Sequence, residues 1–150
     1  MNTSDTREAI ASQVNPAAIP GTSLILLTGA SGYIGGRLLP SLEERGYRLR
    51  CLARHPDILR QKVSATTEVV AGDVLDRQSL DNAMRGVDVA YYMVHSMSST
   101  GSFEEKDRQG ARNFGEAAKA AGVKGLVYVG GLGSDDEELS THLRSRHEVG

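Results

Sequence analysis

The sequence has one cysteine, no tryptophan, 5% aromatic residues and four prolines in 150 residues. A single thiol, Cys51, cannot close an internal disulfide, which argues against an oxidised, secreted scaffold. No excess of positive charge is present: 17 Lys and Arg face 19 Asp and Glu, for a net charge of -2. A dedicated nucleic-acid binder would carry a basic stripe. No apolar run approaches the ~20 residues that a membrane-crossing helix requires. Residues 1–22 lack the apolar core of a signal peptide and the basic, acid-poor character of a transit peptide. The expectation is a soluble, cytoplasmic protein. Its four His and one Cys are scattered without metal-ligand spacing, so no metal site is expected. Ser98-Ser99-Thr100 has no nucleophile-elbow context and reads as a loop.

What is present is an alternation of strand-like and helix-like segments. Residues 1–22 form a polar leader, expected to be a flexible arm, and residues 23–150 read as one domain. Leu24 to Thr28 is a short apolar run that stops at a glycine cluster, as a buried parallel strand does. Ile34, Leu38, Leu39 and Leu42 then recur at helical spacing, with Gly46 suited to the C′ position and Pro40 expected to kink the helix. Tyr47 to Ala53 predicts a second strand, and His55-Pro56-Asp57 opens a second helix. Glu68 to Asp73 predicts a third strand. Asp76 is the N-cap expected for a helix carrying Leu80, Ala83 and Met84 and closed by Gly86. Val87 to Val94 predicts a fourth strand, in which Tyr91 and Tyr92 must face opposite sides of the sheet. Phe103 to Ala121 predicts a long helix weakened by Gly110 and Gly115 and ended by Gly122, and Gly125 to Val129 a fifth strand. Asp135 to Glu138 is an acidic run leading into a last helical stretch, Asp136 to Val149. That stretch runs to the end of the sequence, which therefore reads as the N-terminal portion of a longer protein.

Five strands joined by helices imply an α/β fold: a Rossmann-type, doubly wound parallel sheet in the order 3-2-1-4-5 with helices on both faces. The chemical signal is Thr28-Gly29-Ala30-Ser31-Gly32-Tyr33-Ile34-Gly35, between the first strand and first helix. Gly29 permits the sharp turn, Gly32 lets the backbone approach a pyrophosphate, and Gly35 lets helix and sheet pack closely. Free N–H groups at the helix start, over Ser31 to Gly35, then face the phosphates, and the macrodipole favours their charge. At the end of the second strand an NAD-binding unit would hold an acid for the ribose 2′-hydroxyl, but here the residues are Ala53-Arg54-His55. A guanidinium suits a 2′-phosphate by charge and by forked hydrogen bonding, so NADP(H) is favoured over NAD(H).

These motifs, with Leu52-Ala53-Arg54-His55-Pro56, Ala71-Gly72-Asp73-Val74, Ala90 to Ser96 and His142 to Arg146, resemble the atypical and extended short-chain dehydrogenase/reductase families. The likeness is greatest to NAD(P)-binding proteins related to nucleoside-diphosphate-sugar epimerases and to a complex I accessory subunit. The resemblance implies that Asp73 and Val74 lie beside the adenine, although Asp73 after Gly72 also reads as a turn-forming residue. It implies that Val94, His95 and Ser96 lie beside the nicotinamide ribose. The catalytic part departs from the family. Its reductases and epimerases use a Ser after strand five and a Tyr-x-x-x-Lys, in which the Lys lowers the Tyr pKa. Here Val129-Gly130-Gly131-Leu132 offers no hydroxyl, and His142 and Arg146 stand at the Tyr and Lys positions. Arg146 retains the ability to hold ribose hydroxyls but is not deprotonated near neutrality, whereas His142 is a candidate general acid. Two functions follow: an NADPH-dependent oxidoreductase acting on a small-molecule substrate, or a non-catalytic cofactor-binding sensor or accessory subunit. A homo-oligomer is left open.

Overall fold

Leu24 to Thr28 forms the strand expected of it, β1, and all five residues are buried. A computed structural model describes residues 19–94 and 103–129. Within them, β1 is followed by α1 (Tyr33–Glu44), β2 (Arg48–Ala53), α2 (Pro56–Arg60), β3 (Glu68–Ala71), α3 (Arg77–Ala83), β4 (Val89–Tyr92), α4 (Phe103–Ala121) and β5 (Gly125–Tyr128). The sheet order is β3-β2-β1-β4-β5 and every pairing is parallel. Ile25 sits between Leu49 on one neighbour and Val89 on the other.

Strand alternation divides the core in two. On one face Leu26, Leu52, Ala90 and Tyr92 pack with Leu80 and Met84 from the α3 region and with Phe114, Ala117 and Ala118 of α4. On the other, Ile25, Leu27, Leu49, Cys51, Val89 and Tyr91 meet Leu39 and Leu42 of α1 and Leu59 of α2. Tyr91 and Tyr92 are thus both core residues, one on each face. Cys51 is fully buried, and burial, with the Glu43 charge second, pushes its thiol up to about 12. It is an inert packing residue.

Gly46, Gly86 and Gly122 all take φ near +75°, at +78°, +73° and +73°, as residues that terminate α1, α3 and α4 in the left-handed region. Asp76 caps α3, accepting from the Gln78 amide at 3.1 Å. Pro40 lies inside α1, as the sequence implies, and the helix continues to Glu44. Pro40 and Gly36, whose carbonyl loses a partner, are both exposed, so the missing N–H does not leave a buried orphan. The strands are shorter than the sequence implies. β3 stops at Ala71 and β4 at Tyr92, because both chains leave the ladder there to build loops.

The two glycines inside α4 have different reasons. At Gly110 a Cβ would lie 2.9 Å from Val74 Cγ2 and 3.1 Å from the Tyr92 hydroxyl, so helix and loop approach through it. At Gly115 nothing lies within 4 Å. Gly115→Ala therefore carries only the helix-propensity difference and is expected to stabilise the fold by about 1 kcal/mol. Chemical denaturation reads this as a higher midpoint at unchanged slope, and a lower midpoint would refute it.

Candidate functional site

The carboxyl ends of β1 to β4 open onto a cleft of about 730 Å³. At its base the buried Thr28 hydroxyl donates to the Tyr91 carbonyl at 2.9 Å, fastening the end of β1 to β4. The chain has crossed from β3 at the sheet edge back to β4 beside β1, and in open α/β sheets ligands sit at such a switch point.

Gly29 follows with φ +78°, where a Cβ would also lie 2.6 Å from the Met93 carbonyl oxygen. This is the sharp turn the motif implies. Ser31 and Gly32 line the cleft, and Gly32 is the N-cap of α1 with no side-chain cap and no acid in the first turn. The Gly32 amide, expected to be free, donates to the Gly29 carbonyl at 3.1 Å, so the amides left for an anion are the leading ones of α1 itself, where the helix dipole favours negative charge. A Cβ at Gly32 would touch only the Gly29 carbonyl oxygen, at 3.3 Å, so internal packing is not what keeps this position small. Gly35 differs. Its Cβ would collide with the Gly29 carbonyl oxygen and lie 2.8 Å from Ala30 Cα. The close approach expected there between helix and sheet is in fact between the helix and the backbone of its own loop. Tyr33 and Ile34 have exposed side chains, and Arg37 stacks 4.3 Å above the Tyr33 ring. Tyr33, Ile34 and Gly35, expected at the cofactor, are not among the residues that line the cleft.

From the end of β2, Arg54 and His55 line the cleft, joined by Lys62 from beyond α2. Arg54 and Lys62 are exposed and neither has an ion pair among the described residues. Asp73 and Val74 line it at the end of β3. Their polar groups are almost all committed. The Asp73 amide donates to Ser79 Oγ at 3.0 Å, and its carbonyl accepts from Ser79 Oγ and the Asp76 amide. Asp73 Oδ1 accepts from the Leu75 amide at 2.9 Å, the turn-forming role that the sequence left open. The Val74 carbonyl accepts from Asn113 Nδ2 at 2.9 Å. The Val74 N–H alone among the pair's backbone groups has no partner within the described residues.

Val94 lines the cleft at the end of β4, as does Met93. His95, Ser96, His142, Arg146 and the Val129–Leu132 segment beyond Val129 lie outside the described residues. Tyr92 also reaches the cleft. It packs on Phe114 at 4.9 Å, and burial, then the charges of Asp107 and Tyr128, push its phenol up rather than down. Asp107 of α4 is buried at the cleft wall beside the exposed Lys106. Sequence reasoning missed Lys62, Asp107 and Asn113, all brought in by packing. A polar Asn in the middle of α4 was the one available signal. No group of three or more His, Cys, Asp or Glu able to hold a metal occurs among the described residues, and no helix there is long and apolar enough to cross a membrane.

Known proteins share this arrangement. The family described as NAD(P)H-binding matches residues 29–149. A ceramide reductase of Caulobacter vibrioides is 28% identical over 131 residues, covering 86% of this chain and 41% of that protein. A (4-alkanoyl-5-oxo-2,5-dihydrofuran-3-yl)methyl phosphate reductase of Streptomyces griseus is 32% identical over 123 residues, 82% of this chain and 40% of the other. The chain thus spans about two-fifths of the length of these relatives. Among solved structures, an NADPH-dependent quinone oxidoreductase from Escherichia coli complexed with NADPH superposes with a TM-score of 0.68 at 28% identity, over 83% of this chain and 42% of that one. A short-chain dehydrogenase/reductase superfamily protein from Agrobacterium tumefaciens with bound NAD shares the fold, with a TM-score of 0.68 at 22% identity over 84% of this chain and 43% of that one. By family model and glycine loop, the chain belongs to the NAD(P)H-binding family.

Proposed function

We propose that the chain is the NADPH-binding domain of an oxidoreductase that reduces a small-molecule substrate. The observation that carries the cofactor preference is the pair of exposed cations, Arg54 and Lys62, lining the cleft without an ion-pair partner among the described residues. At the end of β2, where a carboxylate would select NAD, there is only the guanidinium of Arg54 and the imidazole of His55. Arg54 supplies a fork to the 2′-phosphate and Lys62 a point charge. The amides at the start of α1 take the pyrophosphate, with Gly32 kept small so that the phosphates come against the backbone. Asp73 accepts from the adenine amino group and the Val74 N–H donates to the ring nitrogen beside it. Val94 and His95 border the nicotinamide ribose, and Arg146 holds its hydroxyls. When bound, the nicotinamide supplies hydride chemistry, while the protein supplies position and electrostatics. His142 is the proton donor in this reading. Relatives named as reductases support it, as does a similar structure that holds NADPH.

One observation favours a second reading. Val129-Gly130-Gly131-Leu132 has no hydroxyl, and His142 and Arg146 stand where Tyr and Lys would complete the relay. A chain without that relay binds NADPH as a sensor or accessory subunit, and gains about 2.7 kcal/mol of stability at a hundredfold excess over Kd without turning the cofactor over.

Calorimetric titration with NADPH and with NADH at one fixed salt concentration tests the proposal. NADH is expected to bind at least about tenfold more weakly, ~1.4 kcal/mol. Equal affinities would remove the NADPH preference. No binding of either by a folded chain would leave the glycine loop structural.

A further inference from the structure

Helix α4 reaches across the cleft wall to the loop after β3. Asn113, buried in the helix, donates from Nδ2 to the Val74 carbonyl at 2.9 Å, and its Oδ1 accepts from Gln109 Nε2 at 2.8 Å. One turn earlier Gly110 admits the Val74 side chain, because any Cβ there would meet Val74 Cγ2 at 2.9 Å. From the opposite side Ser79 Oγ accepts from the Asp73 amide at 3.0 Å, and its one proton is shared between the carbonyls of Asp73, at 3.0 Å, and Asp76, at 2.8 Å. The dipeptide is therefore clamped between α3 and α4, with one backbone donor, the Val74 N–H, unspent among the described residues.

We infer that Gln109 and Asn113 are positioning residues for recognition of the adenine base: they fix the Val74 peptide so that its N–H, together with the Asp73 carboxylate, reads the base edge. The Val74 N–H shares its peptide plane with the Asp73 carbonyl, which accepts from Ser79 Oγ and the Asp76 amide, and Asn113 holds the next plane at the Val74 carbonyl, so the Val74 backbone is fixed on both sides of its Cα. The Gln109 amide orients the Asn113 amide by occupying its oxygen, so the Asn113 NH₂ is left to face the carbonyl. The inference rests on the assignment of Asp73 and Val74 to the base.

The test compares NADPH with its hypoxanthine analogue, in which a carbonyl replaces the 6-amino group and N1 carries a proton. That exchange sets an acceptor against Asp73 and a donor against the Val74 N–H. The wild-type chain is expected to bind NADPH at least about tenfold more tightly than the analogue, the worth of about one to two hydrogen bonds. In Asn113→Leu and in Gln109→Met this ratio is expected to narrow, through loss of NADPH affinity with the analogue's Kd little changed. Gln109 is exposed, so its variant folds whether or not Asn113→Leu does. Wild-type discrimination that both variants keep would overturn the positioning role alone. Equal weakening of the two cofactors would reduce it to general packing and overturn it likewise. A wild-type ratio near unity would instead overturn the base assignment, and the inference with it.

Discussion

Gly35→Ala is expected to cost both the fold and the cofactor. The added methyl would collide with the Gly29 carbonyl oxygen and lie 2.8 Å from Ala30 Cα and from the Gly29 carbonyl carbon. All of these are backbone atoms of a loop pinned between β1 and α1, so no flexible side chain can give way. Overpacking of this kind costs typically 1–3 kcal/mol, and a backbone-only contact belongs at about 3 kcal/mol or above. The relief available is to lift α1 from the loop, which moves the amides that would face the pyrophosphate. NADPH binding is therefore expected to fall below detection together with a lowered melting temperature. Gly32→Ala separates the two effects. Its methyl meets protein only at 3.3 Å, so stability should stay within about 1 kcal/mol of wild type while binding falls. Thermal denaturation with calorimetry on both variants decides it, and a Gly35→Ala protein that melts and binds like wild type would sink the steric argument.

Arg54→Ala is expected to weaken NADPH by ~1.5–3 kcal/mol, the range for hydrogen bonds to a charged group, and to leave NADH nearly unchanged. In affinity this is about tenfold to somewhat over a hundredfold. The side chain is exposed and makes no hydrogen bond or ion pair among the described residues, so its loss should leave stability within about 0.5 kcal/mol. Lys62→Ala should act in the same direction but less, since an ammonium offers no fork to the phosphate. The effect should shrink as salt rises, as screening of an exposed pair requires. Equal losses for NADPH and NADH in Arg54→Ala would remove the 2′-phosphate assignment.

These predictions draw on two kinds of information. The order of elements was legible because each carries its own local signal. Leu24 to Leu27 is apolar without interruption, as a strand covered on both faces must be, and Gly46, Gly86 and Gly122 mark helix ends that need the left-handed region. The glycine loop was legible for the same reason, since its φ and its crowding are set within eight residues. Alternation also required Tyr91 and Tyr92 to face opposite ways. It could not say that both faces are core, which follows from α1 and α4 covering them.

Where the expectations differed, a contact between distant segments decided the outcome. Beyond the ends of β3 and β4 backbone groups go to side chains from other elements: the Asp73 amide to Ser79, the Val74 carbonyl to Asn113 and the Met93 amide to Thr28 Oγ1. Local signals along the chain set the alternation of strands and helices, the turn that Gly29 makes and the cation that stands after β2. That Lys62, Asp73 and Val74 line one cleft, with Asn113 holding the Val74 carbonyl, is set by tertiary packing. Their convergence depends on which strands lie side by side and how helices cross them, and no local spacing encodes that.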